Sequence, residues 1–91
     1  MGDFASKEIT ITNRLGLHAR PAALVVKAAG KFEAEMYLIK DGTRINAKSI
    51  MGVMMLAAEF DSALTIEAEG PDADLAVEAV AAVFAANFGE K

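Results

Sequence analysis

Apolar and polar residues alternate in several short stretches of the chain, and these stretches predict strands. Over residues 7–12 one face carries Ile side chains and the other carries Glu and Thr, which is typical of a strand with one buried face. Residues 35–40 and 63–69 alternate in the same way. The Asp-Gly pair at residues 41–42 favours a two-residue type I′ turn. We therefore expect residues 43–47 to return as the next strand of a hairpin.

Apolar residues spaced three and four apart predict helices between and after these strands. The first helix is expected to begin at about Ala19, with Pro21 in its first turn, where a missing N–H is tolerated. Gly30 is its expected C-cap. The last helix is expected to begin after Asp72, which would serve as its N-cap, and to end at Gly89.

A short helix is predicted over residues 50–57, with Ser49 as its N-cap. It carries two apolar stripes, and only one of them needs to face the core. The first stripe consists of Val53, Leu56 and Ala57. The second stripe consists of Ile50, Met51 and Met54.

The resulting order of elements is β-α-β-β-α-β-α. It predicts an α+β fold, an open-faced β-sandwich in which helices cover one side of a four-stranded antiparallel sheet. The length of 91 residues corresponds to one domain, residues 1–91.

The candidate chemistry of the chain lies at the expected start of the first helix. His18, the only histidine, is expected at or next to the N-cap, where backbone N–H groups and the positive end of the helix dipole favour a bound anion. Gly16 permits a turn that other residues avoid, and Arg20 offers a planar set of donors suited to a phosphoryl group. We therefore interpret His18 as a nucleophile that accepts a phosphoryl group. The alternative is a histidine that only caps the helix.

Two segments resemble the motifs of a known family. GLHARPA, residues 16–22, resembles the active-site motif of the HPr family, the histidine-containing phosphocarriers of the bacterial sugar phosphotransferase system. KSIMGVM, residues 48–54, resembles the regulatory-serine segment of that family, and the resemblance covers essentially the whole chain. It implies the strand order 1-4-2-3, with three helices on one face of the sheet. It also implies that the stripe containing Val53 faces the core.

The resemblance implies a covalent phosphoryl carrier without turnover of its own. Enzyme I, charged by phosphoenolpyruvate, would phosphorylate His18 at Nδ1, and IIA domains of sugar permeases would then take the phosphoryl group. His18 and Arg20 would be the catalytic residues, and Ala19 and Arg20 would bind the phosphate. Ser49 would be the regulatory phosphorylation site of a serine kinase/phosphorylase, where such an enzyme is present. The expected partner contacts are Leu17, Ala23, Lys27, Ile50, Met51 and Met54.

The chain departs from the family pattern after the short helix. Ala57 and Asp61 stand where the family usually has glycine. Asp tolerates left-handed backbone better than most residues do, so we expect the turn to survive. We transfer no contacts from the family to this loop.

Charge is distributed unevenly along the chain. Residues 9–50 carry seven basic and three acidic side chains, whereas residues 59–90 carry eight acidic and no basic side chains, within a net charge of −4. Both motifs lie in the basic part, so we expect docking onto acidic protein surfaces. Nucleic acid is disfavoured as a partner, because the chain is acidic overall and has no basic run with interleaved aromatic residues.

Further classes are excluded by what the sequence lacks. There is no cysteine, and a single histidine without cysteine argues against a zinc site, so we expect no metal and no cofactor. Residues 1–8 lack the pattern of a secretory signal. No apolar stretch approaches the ~20 residues of a membrane-spanning helix. We therefore expect a cytoplasmic monomer that does not insert into membranes.

Three alternatives remain open from the sequence. The chain could be a paralogue that serves a nitrogen-related or regulatory phosphorelay. It could be a regulatory binding module whose signal is Ser49 and whose His18 only caps a helix. It could also be a small phosphohydrolase, in which a phosphohistidine is hydrolysed instead of being passed on.

Overall fold

The computed structural model describes residues 3–89, so the expectations that concern Met1, Gly2 and Glu90 lie outside the described residues. The strands are β1 (Phe4–Thr10), β2 (Glu35–Lys40), β3 (Thr43–Asn46) and β4 (Ala63–Glu69). The helices are α1 (Ala19–Ala29), α2 (Ile50–Met55) and α3 (Ala73–Ala85), followed by a 3₁₀ turn at Asn87–Gly89. The strands form one antiparallel sheet in the order β1-β4-β2-β3. The predicted fold class and strand order are confirmed.

The core lies between the sheet and the helices. Strand β4 is central to it, because its alternate residues Leu64, Ile66 and Ala68 are all buried. Ile66 lies opposite Leu38 of β2, which is also fully buried. The helices contribute apolar side chains that are equally buried: Val25, Val53 and Val80. The alternation in the strands and the three-to-four spacing in the helices therefore meet in one apolar layer.

The hairpin between β2 and β3 has the predicted geometry. Asp41 and Gly42 both have positive φ, +50° and +82°, as a type I′ turn requires. Lys40 is paired with Thr43 directly beside the turn. The Asp-Gly pair therefore sets the register of β2 against β3.

The predicted boundaries of four elements were wrong. Strand β3 ends at Asn46 instead of residue 47. Strand β1 begins earlier and ends at Thr10, although Ile11 continues the pairing through bonds from its amide to Ser62 O (2.9 Å) and from the Asp61 amide to Ile11 O (2.8 Å). Helix α2 ends at Met55 instead of residue 57. Helix α3 ends at Ala85 instead of Gly89, because the backbone of Asn87 and Phe88 is left-handed and such residues cannot continue a right-handed helix.

Asp72 precedes α3 as predicted, but its side chain does not cap that helix. The carboxylate instead accepts hydrogen bonds from the amides of Glu33 (2.9 Å) and Ala34 (2.8 Å), in the turn between α1 and β2. The bond from Glu33, with that from Ala34 and the nearby charge of Lys48, holds the pKa of Asp72 below its ordinary value against the opposing effect of desolvation. Lys48 Nζ binds Phe32 O (2.7 Å) in the same turn, so two distant residues fix it.

Candidate functional site

The loop of residues 13–18 leads from β1 to α1 and turns sharply at Gly16. The φ of Gly16 is +68°. A Cβ atom at this position would lie 2.5 Å from Ala58 O and 3.0 Å from the Cα of Glu59. Only glycine therefore fits, both because of its φ and because the loop that follows α2 approaches so closely.

Asn13 holds the same loop from the other side. Its Nδ2 donates a hydrogen bond to Gly16 O (2.9 Å), and its own carbonyl accepts one from the Gly16 amide (3.2 Å). The Gly16 carbonyl also accepts a bond from the His18 amide (3.0 Å). Asn13 was not predicted as a site residue. An asparagine shortly before a glycine is a turn signal, but the spacing alone does not show that this side chain is buried.

Leu17 lies in the core instead of on the surface. Only 6% of Leu17 is exposed, and its amide donates a hydrogen bond to Ala58 O (2.9 Å). The expected partner contact at Leu17 is therefore corrected: its side chain packs inward because the turn at Gly16 directs it under the loop after α2. Its apolar side chain anchors the loop that carries His18.

His18 occupies the N-cap of α1, as predicted. Its backbone is extended (φ −94°, ψ −169°), and its side chain makes no hydrogen bond that caps the helix. The imidazole is half-buried. The first hydrogen bond of the helix runs from the Ala22 amide to His18 O (2.9 Å). His18 therefore stands where the helix begins, at the surface, with a side chain that does not cap the helix.

The first turn of α1 surrounds this position with donors. Ala19 and Arg20 are its first two residues, and both are exposed. Their amides precede the first intrahelical hydrogen bond, so they point out of the positive end of the helix. Pro21 follows, buried and without an N–H. Two amides and the Arg20 guanidinium are therefore the groups of this turn suited to an anion on the His18 ring.

Ser49 occupies the N-cap of α2 and serves it directly. Its backbone is extended (φ −111°, ψ 117°), and its Oγ accepts a hydrogen bond from the Gly52 amide (3.1 Å). The predicted cap is confirmed. Asn46 closes the preceding turn, because its Oδ1 accepts a bond from the Lys48 amide (2.8 Å) and its carbonyl accepts one from the Ser49 amide (3.1 Å).

The two stripes of α2 are separated as expected, with one exception. Val53 and Leu56 are buried. Ala57 was expected beside them, but it is exposed and lies beyond the helix with a φ of +52°. The opposite side is an exposed apolar surface that we call the methionine face; it consists of Ile50, Met51, Met54 and Met55. Met55 was not predicted as part of it, yet it is the most exposed member at 74%, compared with 69% for Met51.

The turn after α2 has two left-handed positions that are occupied by residues other than glycine. Ala57 and Asp61 both have left-handed backbone, with φ of +52° and +72°. The reversal at Ala57 directs Ala58 back towards the loop of His18, where its carbonyl accepts the Leu17 amide. The loop after α2 therefore supports the first motif, because Ala58 lies behind the histidine loop and accepts the Leu17 amide.

Further exposed residues adjoin these segments. Ala23 and Lys27 are exposed on α1, one and two turns after Arg20. Leu15 and Phe60 are exposed apolar residues next to the contact between Gly16 and Ala58. The sequence analysis did not single out Leu15 or Phe60, because exposure of an isolated apolar residue in a loop leaves no periodic signal.

Metal ligation and membrane insertion are two further roles that residues 3–89 could be suited to. In this range no group of three or more His, Cys, Asp or Glu side chains could hold a metal ion. None of the helices in the same range has the length and apolar character needed to cross a bilayer.

Together the fold and the site define a class of protein: a small open-faced α+β sandwich that presents one histidine at a helix N-terminus, beside a second helix with an exposed apolar face. The family model for the phosphorylation site of the HPr component of the phosphotransferase system matches residues 5–86. The phosphocarrier protein HPr of Treponema pallidum is 47% identical over 85 residues, which cover 93% of this chain and 97% of that protein.

Solved structures agree with this match. HPr-C-His from Thermoanaerobacter tengcongensis superposes with a TM-score of 0.92 at 41% identity, covering 96% of this chain and 98% of that one. Crh, a catabolite repression protein of Bacillus subtilis whose crystal structure shows swapped domains in a dimer, superposes with a TM-score of 0.74 at 41% identity, covering 89% and 93%.

The chain therefore belongs to the HPr family. It is a phosphocarrier protein of the phosphotransferase system and not a catalytic enzyme. This result excludes the phosphohydrolase alternative raised by the sequence.

Proposed function

We propose that His18 accepts a phosphoryl group from enzyme I and passes it to IIA domains of sugar permeases. The observation that carries this proposal is the position of His18 at the N-cap of α1, half-buried, with a side chain that does not cap the helix. A histidine whose only role was to cap would be expected to bind the amides of its own first turn. The geometry of His18 therefore favours the nucleophile over the cap.

The transfer needs only the imidazole and a donor. A ring nitrogen, Nδ1 by analogy with the family, attacks phosphorus, and the bond from phosphorus to the donor nitrogen of enzyme I breaks in the same exchange. The reverse exchange gives the phosphoryl group to the IIA domain. The amides of Ala19 and Arg20 and the Arg20 guanidinium stabilise the charge in transit, at about 1.5–3 kcal/mol for each charge-assisted hydrogen bond. The surface position of these donors in water limits that stabilisation, so that the phosphoryl group can leave again.

The docking surface combines the methionine face with exposed residues of α1. Of the predicted partner contacts, Ala23, Lys27, Ile50, Met51 and Met54 are exposed. Helices α1 and α2 are in contact, so the two surfaces lie side by side. Methionine side chains adapt to differently shaped partners, and lysine favours acidic ones. We therefore propose that enzyme I and the IIA domains use this one surface in turn.

The proposed oligomeric state rests on the core of the chain. Apolar side chains from the sheet and from all three helices form one core within a single copy of the chain. We propose that the protein acts as a cytoplasmic monomer, in contrast to the swapped dimer of Crh. Sedimentation equilibrium is the test, and a mass of two chains at micromolar concentration would refute the monomer.

Phosphorylation by enzyme I and phosphoenolpyruvate tests the role of His18. The wild-type chain should acquire one phosphoryl group that is labile in acid and stable in alkali, and His18→Ala should acquire none. Ser49→Ala is the matched control, because it alters the other helix N-terminus and should be labelled normally. A label that persists in His18→Ala would refute the proposal.

Two further variants test the remaining roles. Arg20→Glu replaces the guanidinium by a negative charge that repels the phosphoryl group and should slow both receipt and donation, while Lys31→Glu, an exposed charge reversal just after α1, controls for net charge. Met51→Glu should weaken binding to enzyme I with the fold unchanged. Wild-type transfer by Arg20→Glu, or wild-type binding by Met51→Glu, would remove that residue from the proposed site.

A second, regulatory function is favoured by the geometry of Ser49. Its Oγ lies at the start of α2, next to the methionine face, and the chain is also similar to Crh. A phosphoryl group there would add about −1.5 to −2 charges beside the docking surface. We propose that such a modification weakens docking while leaving the fold intact. Ser49→Asp should reduce binding to enzyme I more than Ser49→Ala does, and equal binding by the two variants would refute it.

A further inference from the structure

Asn13 is the one buried polar or charged side chain within residues 3–89, with 4% of its surface exposed. A polar group is buried at a cost unless it forms hydrogen bonds, and Asn13 donates its Nδ2 to the carbonyl of Gly16 at 2.9 Å. We infer that Asn13 is a positioning residue for phosphoryl transfer at His18, acting through the Gly16 carbonyl. This inference rests on the proposed function of His18.

The Gly16 carbonyl links Asn13 to the histidine. It accepts the Nδ2 of Asn13 and, at 3.0 Å, the amide of His18. The orientation of that carbonyl therefore sets the direction in which the chain enters α1, and with it the backbone angles of the N-cap. Glycine is the residue with the least intrinsic resistance to rotation of its peptide planes, so the restraint must come from outside Gly16. Asn13 supplies it.

Asn13 is itself well anchored. The preceding Ile11 is bonded through both its amide and its carbonyl to the segment before β4. The hydroxyl of Thr12 donates a hydrogen bond to Oδ1 of Asn87, beyond the end of α3. The position of Asn13 is thus fixed by the segment before β4 and by the turn after α3, and its amide group transmits that position to the loop. A flexible loop would reach the same geometry only part of the time.

The hydrogen bond from the His18 amide to Gly16 O also determines which amides can bind a phosphoryl group. Because the His18 amide donates to Gly16 O, the donors that face a phosphoryl group begin with Ala19 and Arg20. Without Asn13, the peptide between Gly16 and Leu17 would keep only the bond from the Leu17 amide to Ala58 O, and the Gly16 carbonyl that accepts the His18 amide would be held less firmly. The imidazole and the two amides of the first turn would then lose their fixed relation, which costs rate in the transfer step and not affinity for the partner.

The test measures single-turnover transfer from phosphorylated enzyme I to the chain by rapid quench. Asn13→Ala removes the donor and Asn13→Asp replaces it with a group of the same shape that repels the carbonyl. Both should lower the maximal transfer rate by about tenfold to 100-fold, while the half-saturating concentration stays within about twofold, since the buried side chain does not face a partner. Val80→Ala creates a cavity in the core at a fully buried residue of α3. It controls for lost stability and should transfer at the wild-type rate.

A second measurement begins with the wild-type chain. Amide hydrogen exchange of the wild-type chain should show His18 protected, as expected of a donor to Gly16 O, and exchange at His18 should accelerate in whichever Asn13 variant folds. Wild-type maximal rates in both variants, or an unprotected His18 amide in the wild type, would overturn the inference. If the wild-type chain were not labelled on His18 at all, the proposed function would fail instead, so the two failures are distinguishable.

Discussion

The N-termini of α1 and α2 are built alike but used differently. His18 and Ser49 both have extended backbone and both accept the first hydrogen bond of their helix. The Ser49 hydroxyl then binds the Gly52 amide, whereas the His18 side chain makes no such bond. The end of α1 is stabilised instead by neighbours, through Gly16, Leu17 and Asn13.

This difference separates stability from chemistry. At α2 the residue that could be modified is also the residue that stabilises the helix. At α1 the side chain of the proposed nucleophile, His18, makes no bond that caps the helix, and the surrounding loop carries the stabilising contacts. In the proposed function a carrier benefits from this division, because the His18 ring would gain and lose a phosphoryl group without losing a bond that caps the helix.

Gly16→Ala should destabilise the chain more than any other substitution in the two N-terminal regions. It combines a left-handed backbone with a Cβ 2.5 Å from Ala58 O, so we expect a loss of about 2–4 kcal/mol in the free energy of unfolding. Urea denaturation measures it. Gly42→Ala is the control, since Gly42 also has positive φ but has nothing within 4 Å; it should lose about 1–2 kcal/mol. Equal losses would show that the contact with Ala58 does not matter.

Removal of each N-cap side chain should change the free energy of unfolding by a different amount. Ser49→Ala loses the bond to Gly52 and should cost about 1 kcal/mol of unfolding free energy. His18→Ala loses no cap bond and should stay within about 0.5 kcal/mol of the wild type. Both values come from the same urea titrations. A larger loss at His18 than at Ser49 would contradict the division between stability and chemistry.

Stability should depend on pH through Asp72, the residue that precedes the third helix, α3. The pKa of Asp72 is lowered in the folded chain by its bonds from Glu33 and Ala34. Its stabilising contribution is therefore complete above its ordinary pKa of about 3.9 and is lost as the pH falls through the lower, folded value.

Urea titrations from pH 6 downwards measure this contribution. Asp72→Asn should flatten the acid limb of the profile, whereas Ser49→Ala, which removes an uncharged cap, should lower stability equally at every pH. An acid limb of unchanged slope in Asp72→Asn would exclude this carboxylate as a source of the pH dependence.

Ala57→Gly should have the smallest effect and the opposite sign. Ala57 has left-handed backbone at +52°. Glycine relieves the strain of this conformation, and the free energy gained exceeds the entropic cost of a more flexible unfolded chain. We therefore expect a gain of about 0.5 kcal/mol in the free energy of unfolding. Thermal unfolding measures it. Ala82→Gly, in the exposed part of α3, should instead lose about 0.5–1 kcal/mol. A loss at Ala57 would show that its conformation is not strained.

Much of the fold was predictable because its signals are local. Alternation in β2 and β4, the Asp-Gly turn and the cap at Ser49 each depend on residues within a few positions of one another. The same holds for His18, since Pro21 and the apolar spacing behind it locate the start of α1. Local signals in the sequence therefore determined the class of fold and the candidate nucleophile, whereas the choice between the two apolar stripes of α2 came from the resemblance to the HPr family.

Contacts between distant segments were decided only by the tertiary structure. Leu17 is buried because the loop after α2 covers it. The Asp72 carboxylate accepts the amide of Glu33 instead of capping its own helix. Asn13 is buried with its Nδ2 bonded to Gly16 O. In each case the residue type permits both a surface and a buried role. Contacts with residues far along the chain, or burial when the segments pack together, decide between the two roles. Neither leaves a pattern in the neighbouring sequence.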